Sequence, residues 1–178
     1  MIISLEDAQA IDSSITQGEL DAFETMIRNI THNNFQTLTT RLPIGSITGS
    51  DGTAVVTVVG SVKGYRVGDT VEINGTDYND GLAIVSTVDS NSLELTIKRV
   101  ETELAMGFVT RVDYPNDLAM GITGLIKYDK SMVGKDGVKS MSVSRLSYTY
   151  LDVNASDNAE GYPAAKLSFL EKYRKLKW

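Results

Sequence analysis

The sequence predicts an α+β protein, built as a small α-helical bundle with a β-hairpin and interrupted by an inserted all-β domain. Apolar residues follow the helical period of 3.6 in the segment 4–35 and again in the segments that begin at Pro115 and Pro163, whereas the period changes to two between 43 and 113. The flanking helices are too few to bury their apolar faces separately, so they are expected to pack on each other. These patterns predict a discontinuous helical core, 1–42 with 114–178, around a β domain at 43–113.

Two helices joined by a short turn are predicted at the beginning of the chain. Ser4 precedes acidic residues, as a helix-capping serine does, and Thr16 with Glu19 matches a capping box. The run 32–34 supplies residues that end the second helix. Its buried stripe, predicted from the spacing i, i+3, i+7 and i+10, consists of Leu20, Phe23, Ile27 and Ile30.

Between 43 and 113 the sequence predicts a self-contained β module. Turn clusters of asparagine, aspartate and glycine separate the runs that are rich in valine, isoleucine and threonine. The predicted strands are 53–59, 70–73, 82–88, 93–97 and 108–112. Strands at this spacing are typical of a small closed barrel or a sandwich, and the sequence leaves that choice open.

Helical signals resume at Pro115, and the predicted buried stripe consists of Leu118, Ile122, Leu125 and Ile126. Gly121 and Gly124 lie inside this helix and weaken it by roughly 1 kcal/mol each relative to alanine. Close approach of a second helix is the expected compensation.

A strand pair is predicted near 140–151, with its turn near 144–145, where the phase of the apolar residues slips. A polar loop is expected at 154–160. Pro163 is predicted to begin the last helix. The apolar stripe of that helix is predicted to consist of Leu167, Leu170, Tyr173 and Leu176.

Composition excludes several classes of protein. The 178 residues are 42% hydrophobic and include no cysteine, which excludes disulfides, thiolate nucleophiles and cysteine zinc sites. The sequence has no apolar run long enough for a membrane span and no visible signal peptide, so a cytosolic protein is expected by default. The net charge of −6 argues against binding driven by nucleic-acid phosphates.

The positive charge concentrates at the end of the chain, where a cationic stretch could meet an acidic partner. The bases there are Lys166, Lys172, Arg174, Lys175 and Lys177. Cations also suit the C-terminal end of a helix dipole, which is the more conservative interpretation.

The sequence predicts no catalytic, cofactor or metal site. A catalytic triad would have to use His32, the sole histidine, which lies in a helix-breaking cluster and is expected to be a surface residue. The loop 134–140 lacks the Gly-Lys pair and the following helix of a phosphate loop. The loop 77–81 departs from a calcium loop in its glycine position and has Val88 where the glutamate should be. We therefore expect a protein that is not an enzyme.

Three stretches together resemble the head–tail connector proteins, also called head-completion or adaptor proteins, of long-tailed bacteriophages. The first is Ile-Ser-Leu-Glu-Asp-Ala at 3–8. The second joins Gly-Leu-Ile-Lys-Tyr-Asp at 124–129 to Lys-Ser-Met-Ser-Val-Ser-Arg-Leu-Ser-Tyr-Thr-Tyr at 139–150. The third runs from Gly-Tyr-Pro at 161–163 to Leu-Glu-Lys-Tyr-Arg-Lys-Leu at 170–176. The similarity covers roughly 1–42 and 114–178, and compact members of the family lack the segment 43–113.

The resemblance implies a structural virion protein that forms a dodecameric ring between the portal and the stopper or tail-completion protein. The ring would extend the DNA channel, pass double-stranded DNA without reading its sequence and help to retain packaged DNA. Such a protein is made in the host bacterial cytoplasm, ends at the head–tail interface of the virion, and needs no membrane and no cofactor.

The resemblance also implies where the partners bind. Its C-terminal segment would reach the portal through Lys172, Tyr173, Arg174, Lys175, Lys177 and Trp178. The hairpin near 140–151 would contact the stopper or a neighbouring subunit through Arg145, Tyr148 and Tyr150. Plain core packing of the two tyrosines is an equally open interpretation.

The main alternative is a non-viral binding module in which the β domain recognises a carbohydrate or a protein. Carbohydrate recognition needs an exposed aromatic platform, and the β segment offers only Tyr65, Tyr78 and Phe108 for one. An enzyme is the third interpretation, which the missing chemistry disfavours.

Overall fold

The computed structural model describes residues 1–104, 106–133, 140–143, 146–149 and 158–176. The chain divides into two compact units. One consists of Met1–Asn33 with Tyr114–Trp178, and the other of Asn34–Asp113.

The predicted fold class is wrong. The protein is mostly a closed six-stranded antiparallel β-barrel accompanied by four short helices, not a helical bundle with an inserted β domain. The described helices are α1 (Leu5–Ile11), α2 (Gln17–Thr31), α3 (Asn116–Met132) and α4 (Ala164–Leu167). Two of these are too short to act as bundle helices, because α1 has 7 residues and α4 has 4.

The barrel consists of β1 (Leu42–Ser50), β2 (Gly52–Val58), β3 (Thr70–Asn74), β4 (Gly81–Val88), β5 (Ser92–Ile97) and β6 (Phe108–Val112). The strands follow the order β1-β2-β5-β4-β3-β6, and β6 closes the barrel on β1 through the pairs Leu42–Val109 and Pro43–Phe108. Closure leaves no free edge strand within the barrel itself. Side chains such as Ile47, Val71 and Leu95 fill the interior and are fully buried.

The sequence did not predict β1. Its register shifts between Ile44 and Ser46, so its buried residues, Ile44 and Ile47, are three positions apart instead of two. This bulge removes the strict alternation that marks a half-buried strand.

The segment before β1 also belongs to the barrel unit. Gln36 forms a bridge to Val112, and its side-chain amide donates to Glu72 Oε2 at 2.9 Å. The buried Tyr65 hydroxyl donates to the backbone oxygens of Thr40, at 2.5 Å, and Val109, at 3.0 Å. The barrel therefore depends on residues that precede Pro43.

In the helical unit, the predicted helix caps are confirmed. The Ser4 side chain accepts a hydrogen bond from the Asp7 backbone N–H, and Thr16 with Glu19 forms the capping box of α2. Helix α2 ends at the C-cap His32, which has a left-handed backbone with φ of 49°. The predicted stripes are buried at Leu20, Phe23, Ile27, Leu118, Ile122, Leu125 and Ile126. Ile30 is only half-buried.

The two glycines of α3 have different surroundings. A Cβ atom built on Gly121 would lie 2.2 Å from ring atoms of Phe169, whereas one on Gly124 would meet nothing within 4 Å. Of the two glycines, Gly121 is therefore the one that shows the expected close approach. The group that approaches it is the aromatic ring of Phe169.

The predicted last helix is wrong in its length and end. After the short α4, the chain forms a 3₁₀-helix, Ser168–Tyr173, and the backbone of the following Arg174 is extended. Leu167 and Leu170 are buried as predicted, but Leu176 is 76% exposed. Pro163 is the N-cap of α4, not its first residue.

Two short strand pairs complete the described part of this unit. The strands β7 (Ser140–Val143) and β8 (Leu146–Thr149) pair antiparallel, which confirms the predicted strand pair in the residues described. The strands β9 (Asn158–Ala159) and β10 (Tyr162–Pro163) form a second small hairpin. The predicted turn at 144–145 lies outside the described residues.

Candidate functional site

The cationic end of the chain is attached to the start of α3. The Lys172 ammonium lies 2.5 Å from Asp117 Oδ2, and the Tyr173 hydroxyl donates to Asp117 Oδ1 at 2.5 Å. The same ammonium stands 5.0 Å from the centre of the Tyr173 ring. The hydrogen bonds from Lys172 and Tyr173 hold the pKa of Asp117 below its usual value. Two of the predicted portal residues are therefore used within the chain.

The next residues are fixed to the end of α2 through their backbone. Asn33 donates its side-chain amide to the Tyr173 carbonyl at 3.3 Å, and the Lys175 N–H donates to the Thr31 carbonyl at 2.8 Å. The side chains of Arg174 and Lys175 are exposed, and neither forms a hydrogen bond or ion pair with any described residue. Residues 174–178, the C-terminal segment, thus begin at a rigid base. Of the predicted portal residues, Lys177 and Trp178 lie outside the described residues.

One of the predicted stopper or inter-subunit residues lies among the residues that the structure describes. Arg145 and Tyr150 lie outside the described residues. Tyr148 is a residue of β8, where its backbone pairs opposite Met141.

The aromatic residues of the barrel unit do not form the platform that carbohydrate recognition needs. Tyr65 is 5% exposed and belongs to the core. Phe108 is 41% exposed and lies 5.4 Å beneath the Arg41 guanidinium. Tyr78 is exposed in the loop after β3.

The loop 75–81 has the structure of a tight turn. The Asp80 carboxylate accepts hydrogen bonds from the backbone N–H groups of Gly75, at 3.1 Å, and Thr76, at 2.8 Å. Its oxygens are thus committed to the turn itself. In the part of the chain that the structure describes, no group of three or more His, Cys, Asp or Glu residues could hold a metal ion.

A pocket in the helical unit was not predicted. Its volume is about 430 Å³, and its apolar floor is formed by Ile15, Phe23, Met26 and Ile126. Four carboxylates line it: Asp12, Glu19, Asp129 and Glu160. These residues come from the α1–α2 turn, from α2, from α3 and from the turn before β10, so only the tertiary fold brings them together.

The carboxylates of this pocket, which we call the acidic pocket, differ in their surroundings. Partial burial raises the pKa of Asp129, and the hydrogen bond that it accepts from the Tyr162 hydroxyl at 2.6 Å opposes this shift. The pKa of Asp12 is lowered by the Ser14 backbone N–H, and that of Glu19 by the Thr16 hydroxyl. The pocket therefore presents negative charge above an apolar floor.

Few positive charges balance the acidic pocket. No lysine or arginine is among its described lining residues, and no described base forms an ion pair with its carboxylates. Lys130 lies near enough to lower the pKa of Asp12, but its ammonium donates to the Ile11 carbonyl at 2.8 Å. An occupant with positive charge and apolar groups would complement this pocket.

Comparison with known proteins identifies no family. No protein-family model matches the sequence, and no curated protein is similar to it. Among the residues that the structure describes, no helix is long and apolar enough to cross a membrane.

Proposed function

We propose that this chain is a structural virion protein that forms a ring between the portal and the stopper or tail-completion protein of a bacteriophage. The ring is dodecameric, as in the connector family that the sequence resembles. It extends the channel for double-stranded DNA, helps to retain packaged DNA, and performs no catalysis. It is made in the host cytoplasm and functions at the head–tail interface of the virion.

The observation that carries the proposal is that the exposed bases of the C-terminal segment follow a part of the chain that is held in place. Arg174 and Lys175 project from a base that is fixed by Asp117 and Thr31, so ordering them on a partner costs less entropy than ordering a free tail would. Arginine and tryptophan are the residue types that most often anchor interfaces, and both occur in this segment.

The net charge also supports the proposal. At −6, the protein has little attraction for phosphate, which suits a channel through which DNA must pass and leave.

The proposal is tested by sedimentation with the portal ring encoded by the same genome. The full chain should sediment with the portal, and a chain that ends at Tyr173 should not. Truncation at this point keeps Lys172 and Tyr173 on Asp117, so the helical circular dichroism should be unchanged. A deletion that begins at Lys172 would remove these bonds, so a loss of portal binding could then result from a loss of folding.

The matched control is Lys63→Glu with Arg66→Glu, which reverses two exposed charges on the barrel unit and should leave portal binding intact. Portal binding by the truncated chain at full-length strength would contradict the role of the segment.

One observation favours the alternative, a protein-binding module. Tyr78, Leu104 and Met106 are 73%, 89% and 93% exposed on two loops of the barrel unit. The loops are joined because the Asp77 N–H donates to Glu103 Oε2 at 3.1 Å. Exposed apolar residues held together in this way are typical of a protein contact. Leu104→Asp with Met106→Asp should leave portal sedimentation unchanged if the connector proposal is correct, whereas a non-viral binding module would not sediment with the portal even as the unmodified chain.

A further inference from the structure

The C-terminal segment and the acidic pocket both carry unbalanced charge, and they lie at opposite ends of the helical unit. The C-terminal segment is anchored at Asp117, in the first turn of α3, and at Thr31, the last residue of α2. The acidic pocket instead uses Glu19 near the start of α2 and Asp129 near the end of α3. At 1.5 Å per residue, either helix separates the segment from the pocket carboxylates by about 18 Å.

Arg174 and Lys175 cannot reach the pocket of their own chain. The Lys175 N–H is held on the Thr31 carbonyl, and a single side chain is much shorter than this separation. A second copy can present its segment without this restriction.

We propose that the acidic pocket of one copy binds Arg174, Lys175 and Leu176 of a second copy. The two surfaces are complementary in charge and in apolar character. The side chains of Arg174 and Lys175 are exposed and have no described partner, and the carboxylates of the pocket form no ion pair with a described base. Leu176, which is 76% exposed beside these bases, supplies the apolar group for the floor formed by Phe23, Met26 and Ile126.

This contact is heterologous, because it joins two different surfaces of the same chain. Contacts of this kind repeat from copy to copy and close into a ring when the rotation per step allows it. The inference rests on the proposed function only for that closure. It assigns Arg174 and Lys175 to the contact between subunits, so their removal would weaken portal binding by preventing assembly of the ring, whereas the resemblance assigns them to the portal directly.

Charge reversal on each side tests the contact through self-association of the full chain, measured by sedimentation velocity without portal. The tail variant is Arg174→Glu with Lys175→Glu, and the pocket variant is Asp129→Lys with Glu160→Lys. Each variant alone places like charges in contact. Its self-association should therefore be at least about tenfold weaker than that of the unmodified chain. An equimolar mixture should recover assembly, because both of its mixed contacts pair opposite charges. Recovery also shows that both variants are folded.

The control, Lys63→Glu with Arg66→Glu, makes the same change of net charge as the tail variant and should self-associate like the unmodified chain. A mixture that associates no better than the separate variants would overturn the inference. So would a tail variant that assembles normally and loses only its sedimentation with the portal, because Arg174 and Lys175 would then be portal residues. Restored assembly without any portal binding would support the inference and reject the proposed function.

Discussion

Replacing Gly121 with alanine is expected to lower the free energy of unfolding by about 2 kcal/mol, because the new methyl group overlaps the Phe169 ring. The Cβ position lies 2.2 Å from Cε2 and Cζ of that ring, well inside van der Waals contact. Alanine would otherwise favour the helix by up to about 1 kcal/mol, so the steric cost must exceed this gain. Urea unfolding of the full chain, followed by circular dichroism, measures the difference.

Gly124→Ala is the matched control in the same helix. Nothing lies within 4 Å of its Cβ position, so this variant should be as stable as the unmodified chain or up to about 1 kcal/mol more stable. In a Phe169→Leu background, the cost of Gly121→Ala should fall, since the clashing ring atoms are gone. Equal stability of the two alanine variants would show that Phe169 does not pack on Gly121.

The fragment 34–113 is expected to fold as an isolated β-barrel, whereas the fragment 43–113 should be less stable by about 4 kcal/mol. The shorter fragment lacks the buried Phe35 and the Gln36 donor to the buried Glu72 carboxylate. Loss of a buried phenylalanine costs about 2 kcal/mol, and loss of donors to a buried charge costs about as much again. An 80-residue barrel has little more stability than that to lose.

Thermal unfolding of the two fragments, followed by circular dichroism in the β region, checks this prediction. Tyr65→Phe in the longer fragment is the smaller companion change, and it should cost about 1 kcal/mol by removing the hydroxyl that donates to Thr40 and Val109. Equal stability of the two fragments would mean that residues 34–42 do not support the barrel.

Features that depend on a few neighbouring residues could be predicted from the sequence. The caps at Ser4 and Thr16 and the buried stripes of α2 and α3 follow from local hydrogen bonding and helical spacing. The predominance of the barrel could not be predicted in the same way, because β1 contains Pro43, two glycines and a bulge. Without that strand, the predicted module had no closing partner for β2 and β6.

The end of the last helix shows a different limit. Leu176 continues the apolar spacing of Leu167 and Leu170, but the backbone leaves the helix after Tyr173. The hydrogen bond from Lys175 to the Thr31 carbonyl draws the chain towards α2, and no local pattern encodes it. Tertiary contacts therefore override the spacing.

The candidate site was only partly accessible to sequence reasoning. A concentration of bases at the end of the chain is visible in the sequence, and it predicts Arg174 and Lys175 as interaction residues, which stays a prediction. The contacts of Lys172 and Tyr173 with Asp117 join residues far apart in the chain, and the acidic pocket combines four separate segments. Such groupings follow from the fold alone.

The central claim, that this chain forms a ring on a portal, is tested most directly by native mass spectrometry. The chain should be measured alone and after addition of the portal protein encoded by the same genome. We predict a single complex in which each portal ring carries one ring of this chain, with a mass that gives a dodecamer. A chain that stays monomeric in both measurements, and is absent from every portal complex, would contradict the claim.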